Sequence, residues 1–364
     1  MSLKTSYIYL RGLRQVDHTV FCVADGQKTY RDPFTGRPMP YSSGQQVKRS
    51  IIDEMTSLLD EMRAPITFNF TLTKEVSKNP TEGVKTTFGN GEPWSPCDPN
   101  FTDQLIGGWM RAGKESAPVK RRSPLSISAM RPLHPSLTGL GEEAVTFDRS
   151  DHPEQHKIRV TDESGKEVSH EDFLNALQAA NRNAPMRLWI PSDKVGPRAN
   201  GLFVYDIAID LRTLFSVSIN TFEPEVTQDM ISQLKSNGWI ESPDGIRLIC
   251  PKARREQIAP ALANSLIYWR ITSNQSRTYS PQNTLAVAIS HNANRLGAAI
   301  RADLTEESEY KRAAPVVDDS IADVDVYVAL TAKAYIREVT TTKDALEQAE
   351  KDLTAQILEF DYDA

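Results

Sequence analysis

The pattern of apolar and polar positions at the start of the chain predicts a strand, a helix and a second strand. Tyr7 to Leu10 is a short apolar run of the kind that forms strands. Ser43 is a favourable helix N-cap, with Gln46 as its capping-box partner. The apolar positions that follow at helical spacing are Val47, Ile51, Met55, Leu58 and Met62. After Pro65, four apolar residues alternate with polar ones in the period of a half-buried strand: Ile66, Phe68, Phe70 and Leu72.

Later segments add strands and helices separated by long polar stretches. The predicted strands cover residues 125–130, 202–209, 214–219, 285–289 and 324–330. The predicted helices cover residues 173–177, 227–235, 254–269 and 342–358. Strands with few helices and long polar insertions indicate an α+β fold with a ferredoxin-like antiparallel sheet, rather than a doubly wound sheet.

Charge is distributed unevenly along the chain, whose net charge is −6. Between Arg111 and Arg131 there are six basic residues and a single acidic one, Glu115. Residues 303–325 are instead dominated by acids. Because phosphate binding draws on concentrated Lys and Arg, this separation predicts a basic face for RNA and an acidic face that meets a copy of the same chain.

The sequence carries none of the motifs of the common enzyme classes. Its three cysteines, Cys22, Cys97 and Cys250, lie far apart, which argues against a disulfide framework or a zinc site. Phosphate-loop fingerprints, a nucleophile elbow and an HExxH helix do not occur, so we expect no cofactor, no metal and no catalysis. No apolar stretch reaches the roughly 18 residues that span a bilayer, and a signal-peptide core is missing. We therefore expect a cytoplasmic protein with no membrane partner.

Two basic segments are candidate RNA contacts. On the predicted first helix, Gln45, Lys48 and Arg49 fall on one flank beside the apolar face. The alternative is that these cations are merely solvated. In the second segment, Arg121 and Arg122 precede a strand that Arg131 and His134 end, so cations would line one sheet edge.

Two apolar residues near this edge could lie against bases. Met130 and Trp109 would supply the flat or adaptable surface that single-strand binders use. The alternative is that both are buried around a core strand. Next to Trp109, Gly107 and Gly108 allow close approach of another chain or form a plain turn.

Two further groups of polar residues carry possible chemistry. Asn292 and Arg295 follow a strand and offer donors to base edges and phosphates, or they belong to a capped helix start. Asp17 beside His18, with Asp25 and Asp32 in the early loop, could assist RNA cleavage by acid–base chemistry. The alternative is that these aspartates form turns.

Four segments in order resemble one protein family. They are GLRQVDHTVF, PYSSGQQVKRSI, DQLIGGWM and RRSPLSISAMRPLHP, within residues 8–140. In this order and spacing the chain resembles the backbone subunit of type I, Cascade-like CRISPR surveillance complexes. This family is also known as the DevR-like autoregulators of the repeat-associated mysterious protein (RAMP) superfamily.

The resemblance implies a palm built on an RRM-like antiparallel sheet, interrupted by inserted fingers and a thumb. On this sequence the palm would comprise residues 1–73, 121–139 and 201–364. The fingers would lie near 74–120 and the thumb within 140–200, and further helical insertions and a C-terminal helix belong to the last palm segment. The resemblance also implies RNA contacts at Arg14 and Arg111, and phosphate contacts by the first-helix flank and by Arg121, Arg122 and Arg131.

The function implied is that of a non-catalytic guide-RNA carrier. Copies of the chain would stack helically along the CRISPR guide RNA, join other subunits of the complex and present the guide for pairing with target DNA. The main alternative is a type III-like backbone subunit that also cleaves target RNA with a loop aspartate and a divalent metal. A DNA-binding regulator would need a helix-turn-helix with a basic recognition helix, and the sequence shows none.

Overall fold

The structure is a computed structural model, and it describes most of the chain. The described residues are 6–21, 26–70, 72–76, 84–88, 92–111, 118–148, 159–182, 187–190, 196–271, 279–305 and 312–362. Asp25 and the acidic residues Glu306, Glu307 and Glu309 lie outside them.

Short strands dominate the described part of the chain. In order they are β1 (Tyr7–Thr19), β2 (Thr29–Arg31), β3 (Pro38–Pro40), β4 (Thr67–Asn69), β5 (Leu72–Val76), β6 (Val84–Phe88), β7 (Glu92–Trp94), β8 (Trp109–Arg111), β9 (Val119–Arg121), β10 (Leu125–Ile127), β11 (Arg131–Pro132), β12 (Thr138–Gly141), β13 (Val145–Asp148), β14 (Arg187–Ile190), β15 (Arg198–Asp210), β16 (Ser216–Ser218), β17 (Ile240–Glu241), β18 (Arg247–Ile249), β19 (Asn283–Ser290), β20 (Ile300–Leu304), β21 (Ala313–Val317) and β22 (Asp325–Val328).

Helices are fewer among the described residues. They are α1 (Gly44–Leu58), α2 (Thr102–Gly107), α3 (His170–Ala179), α4 (Leu211–Leu214), α5 (Gln228–Ser236), α6 (Lys252–Tyr268), α7 (Ala293–Ala299) and α8 (Ala345–Glu359). Two 3₁₀ turns lie at Pro135–Leu137 and Leu330–Ala334. No helix in these segments is long and apolar enough to cross a membrane.

A seven-stranded antiparallel sheet organises the fold. The long strands β1 and β15 pair over nearly their whole length, from Tyr7 with Asp210 to Thr19 with Ala199. Strand β19 pairs with the other edge of β1, and β22 pairs with β19. Along the outer edge of β15, β10, β11 and β12 pair in succession. Helices beside an antiparallel sheet confirm the predicted α+β, RRM-like fold class.

Alternation along β1 divides the core into two layers. Ile8 and Leu10 point to one face, where they join a cluster with residues of α1, α6 and α8. Leu13 points to the other face, where it packs with Leu296 of α7 and Ile300 of β20. Tyr7, Tyr9 and Arg11 share this second face; we call it the open face, because it is only half-buried at the Tyr7 end of β1.

Helix α1 forms where it is predicted but ends early. The Ser43 hydroxyl accepts a hydrogen bond from the Gln46 amide at 3.3 Å, which confirms the predicted cap. Val47, Ile51 and Met55 are fully buried. The helix stops at Leu58, and Asp60 then adopts a left-handed φ of 53°. The prediction that Leu58 and Met62 continue the buried face is therefore wrong, since they are 50% and 88% exposed.

The predicted half-buried strand after Pro65 is also different in the structure. Strand β4 pairs with β7, and β5 pairs with β6, so these ribbons do not join the main sheet. The four alternating apolar residues are 55–64% exposed: Ile66, Phe68, Phe70 and Leu72. The period of the sequence is that of a strand, but no element in the described chain covers its apolar face.

Candidate nucleic-acid interface

Helix α1 begins against the backbone of the sheet's outer edge. A Cβ added at Gly44 would lie 2.6 Å from the carbonyl oxygen of Ile127, so only glycine permits this approach. Just before it, Ser42 and Met130 exchange two backbone hydrogen bonds of 3.0 Å. These contacts fix the start of α1 beside the edge segment that runs from Arg122 to Arg131.

Lys48 is held one turn further along α1. Its Nζ donates a hydrogen bond of 2.7 Å to the carbonyl of Gly107, the last residue of α2. Among the described residues no carboxylate forms an ion pair with Lys48. Burial lowers the pKa of Lys48 to about 8, because the ammonium is partly desolvated without a compensating anion.

The glycine pair connects Lys48 to the basic edge. Gly108 has a φ of 76°, and a Cβ there would lie 2.6 Å from the carbonyl oxygen of Arg121 and 3.1 Å from the carbonyl carbon of Arg122. This close approach and the positive φ explain why position 108 needs glycine. It brings Arg122, whose side chain is exposed, next to the Gly107 that Lys48 contacts. The Lys48 ammonium and the backbone of Arg122, 74 positions apart in sequence, therefore both lie beside the glycine pair.

We name Gln45, Lys48, Arg49 and Arg122 the helix-edge surface. Gln45 and Arg49 are exposed on the same flank of α1 as Lys48, at the spacing the sequence predicts. The Arg49 Nε donates to Asp53 at 3.0 Å, and Asp53 also pairs with Arg63. Two guanidinium groups thus share the Asp53 carboxylate, and Arg63 also interacts with Asp103.

Arg131 lies at the far end of the same edge but faces the open face. It is opposite Val204 on β15, and its guanidinium pairs with Asp206 at 3.2 Å. Asp206 also forms an ion pair with Arg11, whose Nε lies 2.6 Å from the carboxylate. The structure therefore places Arg131 on the open face, opposite to the face of the sheet that α1 covers, and away from the cations of the helix-edge surface.

Arg14 is a core residue, so its predicted RNA contact is wrong. The side chain is fully buried, and its guanidinium donates to the carbonyls of Trp269 and, at 2.8 Å, Ile267. These carbonyls end helix α6, where a cation stabilises the helix dipole. The guanidinium also lies 4.0 Å from the ring centroid of Trp269.

Arg121 is likewise buried, which corrects its predicted place on the RNA-binding edge. Its side chain is 0% exposed and pairs with Glu225 at 3.1 Å. It also donates to the carbonyls of Leu105, Thr213 and Ser216. Arg121 is the last residue of β9 and points inward, whereas Arg122, which follows the strand, is exposed.

The two apolar candidates are buried as well. Met130 is fully buried in the main core. Trp109 is 6% exposed, and its indole N–H donates to the carbonyl of Glu225 at 2.7 Å. The predicted base contacts by Met130 and Trp109 are wrong, and the buried alternative is confirmed.

The remaining candidates have local partners. Arg111 is exposed and lies 5.3 Å from the ring centroid of Trp94. His134 accepts a hydrogen bond from the Ser136 amide at 3.2 Å, which caps a 3₁₀ turn. Asn292 caps α7 through the Asn294 amide at 3.1 Å, and Arg295 pairs with Asp323. The helix-start alternative therefore holds for Asn292, and this group lies apart from the helix-edge surface.

The loop aspartates differ in their surroundings. Asp32 is 7% exposed, and one of its oxygens accepts from the amides of Phe34 and Thr35, which is a turn role. These hydrogen bonds lower the pKa of Asp32. Asp17 is exposed, and its own amide donates to Ser280. Within the described residues, no group of three or more His, Cys, Asp or Glu side chains could hold a metal ion.

Acids of the 303–325 stretch are partly paired inside the chain. Arg301 bridges Asp303 at 2.9 Å and Asp318 at 3.2 Å. Asp319 and Asp325 are exposed. Asp318 is thus a poorer candidate for a contact between copies than the sequence suggests, whereas Asp319 keeps an accessible side chain.

A further group, not among the residues predicted from the sequence, lies at the open end of the sheet: Tyr7, Tyr9 and Arg212. Tyr7 and Tyr9 stack, with ring centroids 5.8 Å apart, and the Arg212 guanidinium lies 5.0 Å from the Tyr7 centroid. The alternation of Tyr7 and Tyr9 with buried Ile8 and Leu10 was the available signal. No pattern in the sequence indicates that Arg212 lies beside Tyr7, because its position depends on the pairing of β1 with β15.

No protein-family model and no curated protein matches the sequence. One similar solved chain belongs to a "CRISPR RNA-guided surveillance complex, pre-nicking"; it is 11% identical, with coverage of 97% of this chain and 89% of that chain and a TM-score of 0.40. Another, from a "CRISPR RNA-guided surveillance complex", is 10% identical, with coverages of 95% and 80% and a TM-score of 0.35.

Proposed function

We propose that this chain is the guide-RNA-binding backbone subunit of a CRISPR surveillance complex. In this role it coats the guide without cleaving it and stacks with copies of itself along the strand. The guide then pairs with target DNA, so that the protein needs no base-edge readout. The four sequence segments that resemble this family supply the proposal, and the helix-edge surface supplies its physical support.

The observation that carries the proposal is Lys48 with its neighbours. A half-buried ammonium that has no anionic partner in the described chain is costly, and a phosphate placed there would compensate it. The glycine pair brings the backbone of the exposed Arg122 close to the point where Lys48 contacts Gly107, and Gln45 adds an amide donor on the flank of Lys48. Contacts of this kind hold a sugar–phosphate backbone regardless of sequence.

The direct test is expression of the chain with a CRISPR array, followed by sequencing of the RNA that copurifies. The proposal predicts guides of uniform length that carry repeat-derived ends. Random cellular RNA, or no RNA, would contradict it. A Lys48→Met, Arg122→Met double variant should retain less RNA than the wild type, whereas Lys252→Met, which removes an 81% exposed cation elsewhere, should not.

A cleavage assay separates the proposal from the type III-like alternative. The assembled complex is incubated with complementary RNA and magnesium. Our proposal predicts intact target, whereas regular stepwise cleavage that is lost in an Asp17→Asn variant would identify an enzyme.

Assembly along the guide gives a second test. We propose that the acidic surface around Asp319 meets a basic surface of the next copy, a head-to-tail contact that propagates as a helix. Asp319→Lys should shorten the assemblies seen by analytical ultracentrifugation in the presence of guide RNA. Glu163→Lys, a charge reversal at another exposed site, should leave their length unchanged. Assemblies of full length in the Asp319 variant would contradict this contact.

A further inference from the structure

Three flat groups form a column at the open end of the main sheet. Tyr7 and Tyr9 lie two residues apart on β1, so their side chains share the open face. Their rings are nearly parallel, with an interplanar angle of 14° and a centroid distance of 5.8 Å. The guanidinium of Arg212 lies 5.0 Å from the Tyr7 centroid. We name Tyr7, Tyr9 and Arg212 the tyrosine–arginine column.

Hydrogen bonds hold the column rigid. Arg212 donates through Nε to one Asp210 oxygen and through Nη2 to the other, both at 2.9 Å. The same Nη2 donates to the Tyr7 hydroxyl at 2.6 Å, and that hydroxyl lies 3.1 Å from Asp210. These hydrogen bonds hold the guanidinium plane in one orientation, although the Arg212 side chain is 54% exposed. A flat surface fixed in advance loses little conformational entropy when a ligand stacks on it.

The charges around the column favour an anionic ligand. Asp210 is paired with Arg212, and Asp206 is paired with both Arg11 and Arg131. Three guanidinium groups thus meet two carboxylates, which leaves one positive charge in excess. Flat π surfaces beside excess positive charge are what single-stranded nucleic acid binders present to bases and phosphates.

Folding alone does not account for the column. Tyr7 and Arg212 belong to neither hydrophobic cluster, although Tyr9 packs against the second one. The exposed pair Phe68 and Phe70 provides a contrast, since its rings are also roughly parallel, 6.4 Å apart at 22°. No cation lies over either ring in the described residues, so this pair lacks the charge that a polynucleotide requires.

We infer that the tyrosine–arginine column is a stacking site for a base of single-stranded nucleic acid. The inference rests on the proposed function, because the bound strand would be the one whose phosphates lie on the helix-edge surface. The Asp210 amide, at the base of the column, donates a hydrogen bond of 2.9 Å to the carbonyl of Pro124, two residues after Arg122. A strand that leaves the helix-edge surface past Arg122 and crosses this edge would therefore reach the column.

Photocrosslinking tests the site in the unaltered chain. The chain is irradiated with a single-stranded oligoribonucleotide that carries 5-iodouridine, or with the deoxy strand of the same sequence, and its tryptic peptides are mapped. We expect the crosslink on TSYIYLR, which holds both tyrosines of the column. A crosslink on both strands shows that the base is recognised, and a crosslink on RNA alone adds recognition of the 2′-hydroxyl. Crosslinks confined to other peptides, such as APITFNFTLTK with Phe68 and Phe70, would overturn the inference.

Variants separate stacking from phosphate binding. Tyr7→Leu removes an aromatic ring. Arg212→Lys keeps the positive charge but removes the planar guanidinium. Each should weaken RNA binding about tenfold with an unchanged salt dependence, because a stacked base is lost and no phosphate contact is. Tyr7→Phe should bind more tightly than Tyr7→Leu. Tyr335→Leu, a matched change at a tyrosine 42% exposed elsewhere, should bind as the wild type does.

The outcomes distinguish this inference from the proposed function. If Tyr7→Leu and Arg212→Lys bind RNA as tightly as the wild type, the column is not a stacking site. The proposed guide-RNA-binding function would not be affected by this result. If the wild-type chain binds no single-stranded RNA, both fail together. Thermal unfolding of each variant shows whether a loss of binding reflects a loss of fold.

Discussion

Lys48 provides the sharpest prediction, because its charge is poised to change within an accessible pH range. Burial lowers its pKa from 10.5 to about 8 in the free chain. A bound phosphate would favour the charged form and return the pKa toward the ordinary value. RNA binding should therefore take up a proton above pH 8, and affinity should fall as the pH rises.

The size of this effect follows from the two pKa values. With a free-state value of about 8, the charged fraction of Lys48 falls from about 90% at pH 7 to about 10% at pH 9. If the bound state keeps the ordinary value of 10.5, the association constant falls about tenfold over this range, or ~1.4 kcal/mol. The free energy of unfolding should change with pH in the opposite direction to the RNA affinity. Since burial favours neutral Lys48, stability should rise as the pH increases from about 8 toward 10.5.

Fluorescence anisotropy with a labelled single-stranded RNA at constant ionic strength measures the effect. Lys48→Met should bind more weakly at pH 7 and show almost no dependence between pH 7 and 9. The RNA affinity of Lys48→Arg should also be independent of pH, because a guanidinium stays charged from pH 7 to 9. Arg122→Met is the matched control: it should bind more weakly but keep the full pH dependence. If the wild type shows no dependence, or if Lys48→Met shows the same one, phosphate does not contact Lys48.

Three further predictions address the interface and its support. Arg122→Ala should reduce the slope of log affinity against log salt by about 1, whereas Lys252→Ala should leave the slope of RNA titrations unchanged. Gly44→Ala should lower the free energy of unfolding by about 1–3 kcal/mol in urea titrations, because its Cβ would meet backbone atoms 2.6 Å away; wild-type stability would refute the close approach. Arg14→Met should cost about 3 kcal/mol in the same assay, since buried carbonyls at the end of α6 lose their donors, and a change under 0.5 kcal/mol would contradict that capping role.

Much of the sheet could be predicted from the sequence. The apolar runs at 202–209 and 285–289 lie within β15 and β19, and those at 125–130 and 324–330 contain β10 and β22. The predicted helices at 227–235, 254–269 and 342–358 coincide closely with α5, α6 and α8. Continuous apolar runs and strong helical spacing identify these elements, because each is buried in the same two clusters.

The errors arise where tertiary contacts override local pattern. Arg14 and Arg121 are both predicted to contact RNA, which requires exposed side chains. Both are buried because the fold surrounds each guanidinium with backbone carbonyls, a feature that sequence spacing does not reveal. The alternating apolar stripe from Ile66 to Leu72 failed for the opposite reason, since a ribbon that leaves the main sheet has no layer to cover it.

For the site itself, the sequence identified residues but not their arrangement. Helical spacing placed Gln45, Lys48 and Arg49 on one flank correctly. Their proximity to Arg122 depends on the glycine pair at Gly107 and Gly108, whose close packing becomes visible only in three dimensions. In the tyrosine–arginine column, alternation along the strand indicates that Tyr7 and Tyr9 share a face, but the position of Arg212 could not be predicted, because it requires the register between β1 and β15.

The central claim is that a polynucleotide backbone lies along the helix-edge surface. A cryo-EM reconstruction of the chain expressed with a CRISPR array tests it most directly. We expect RNA phosphates within about 4 Å of the Lys48 ammonium and of the Arg122 guanidinium, an ion-pair distance. A strand that follows another surface and leaves both cations in solvent would contradict the account.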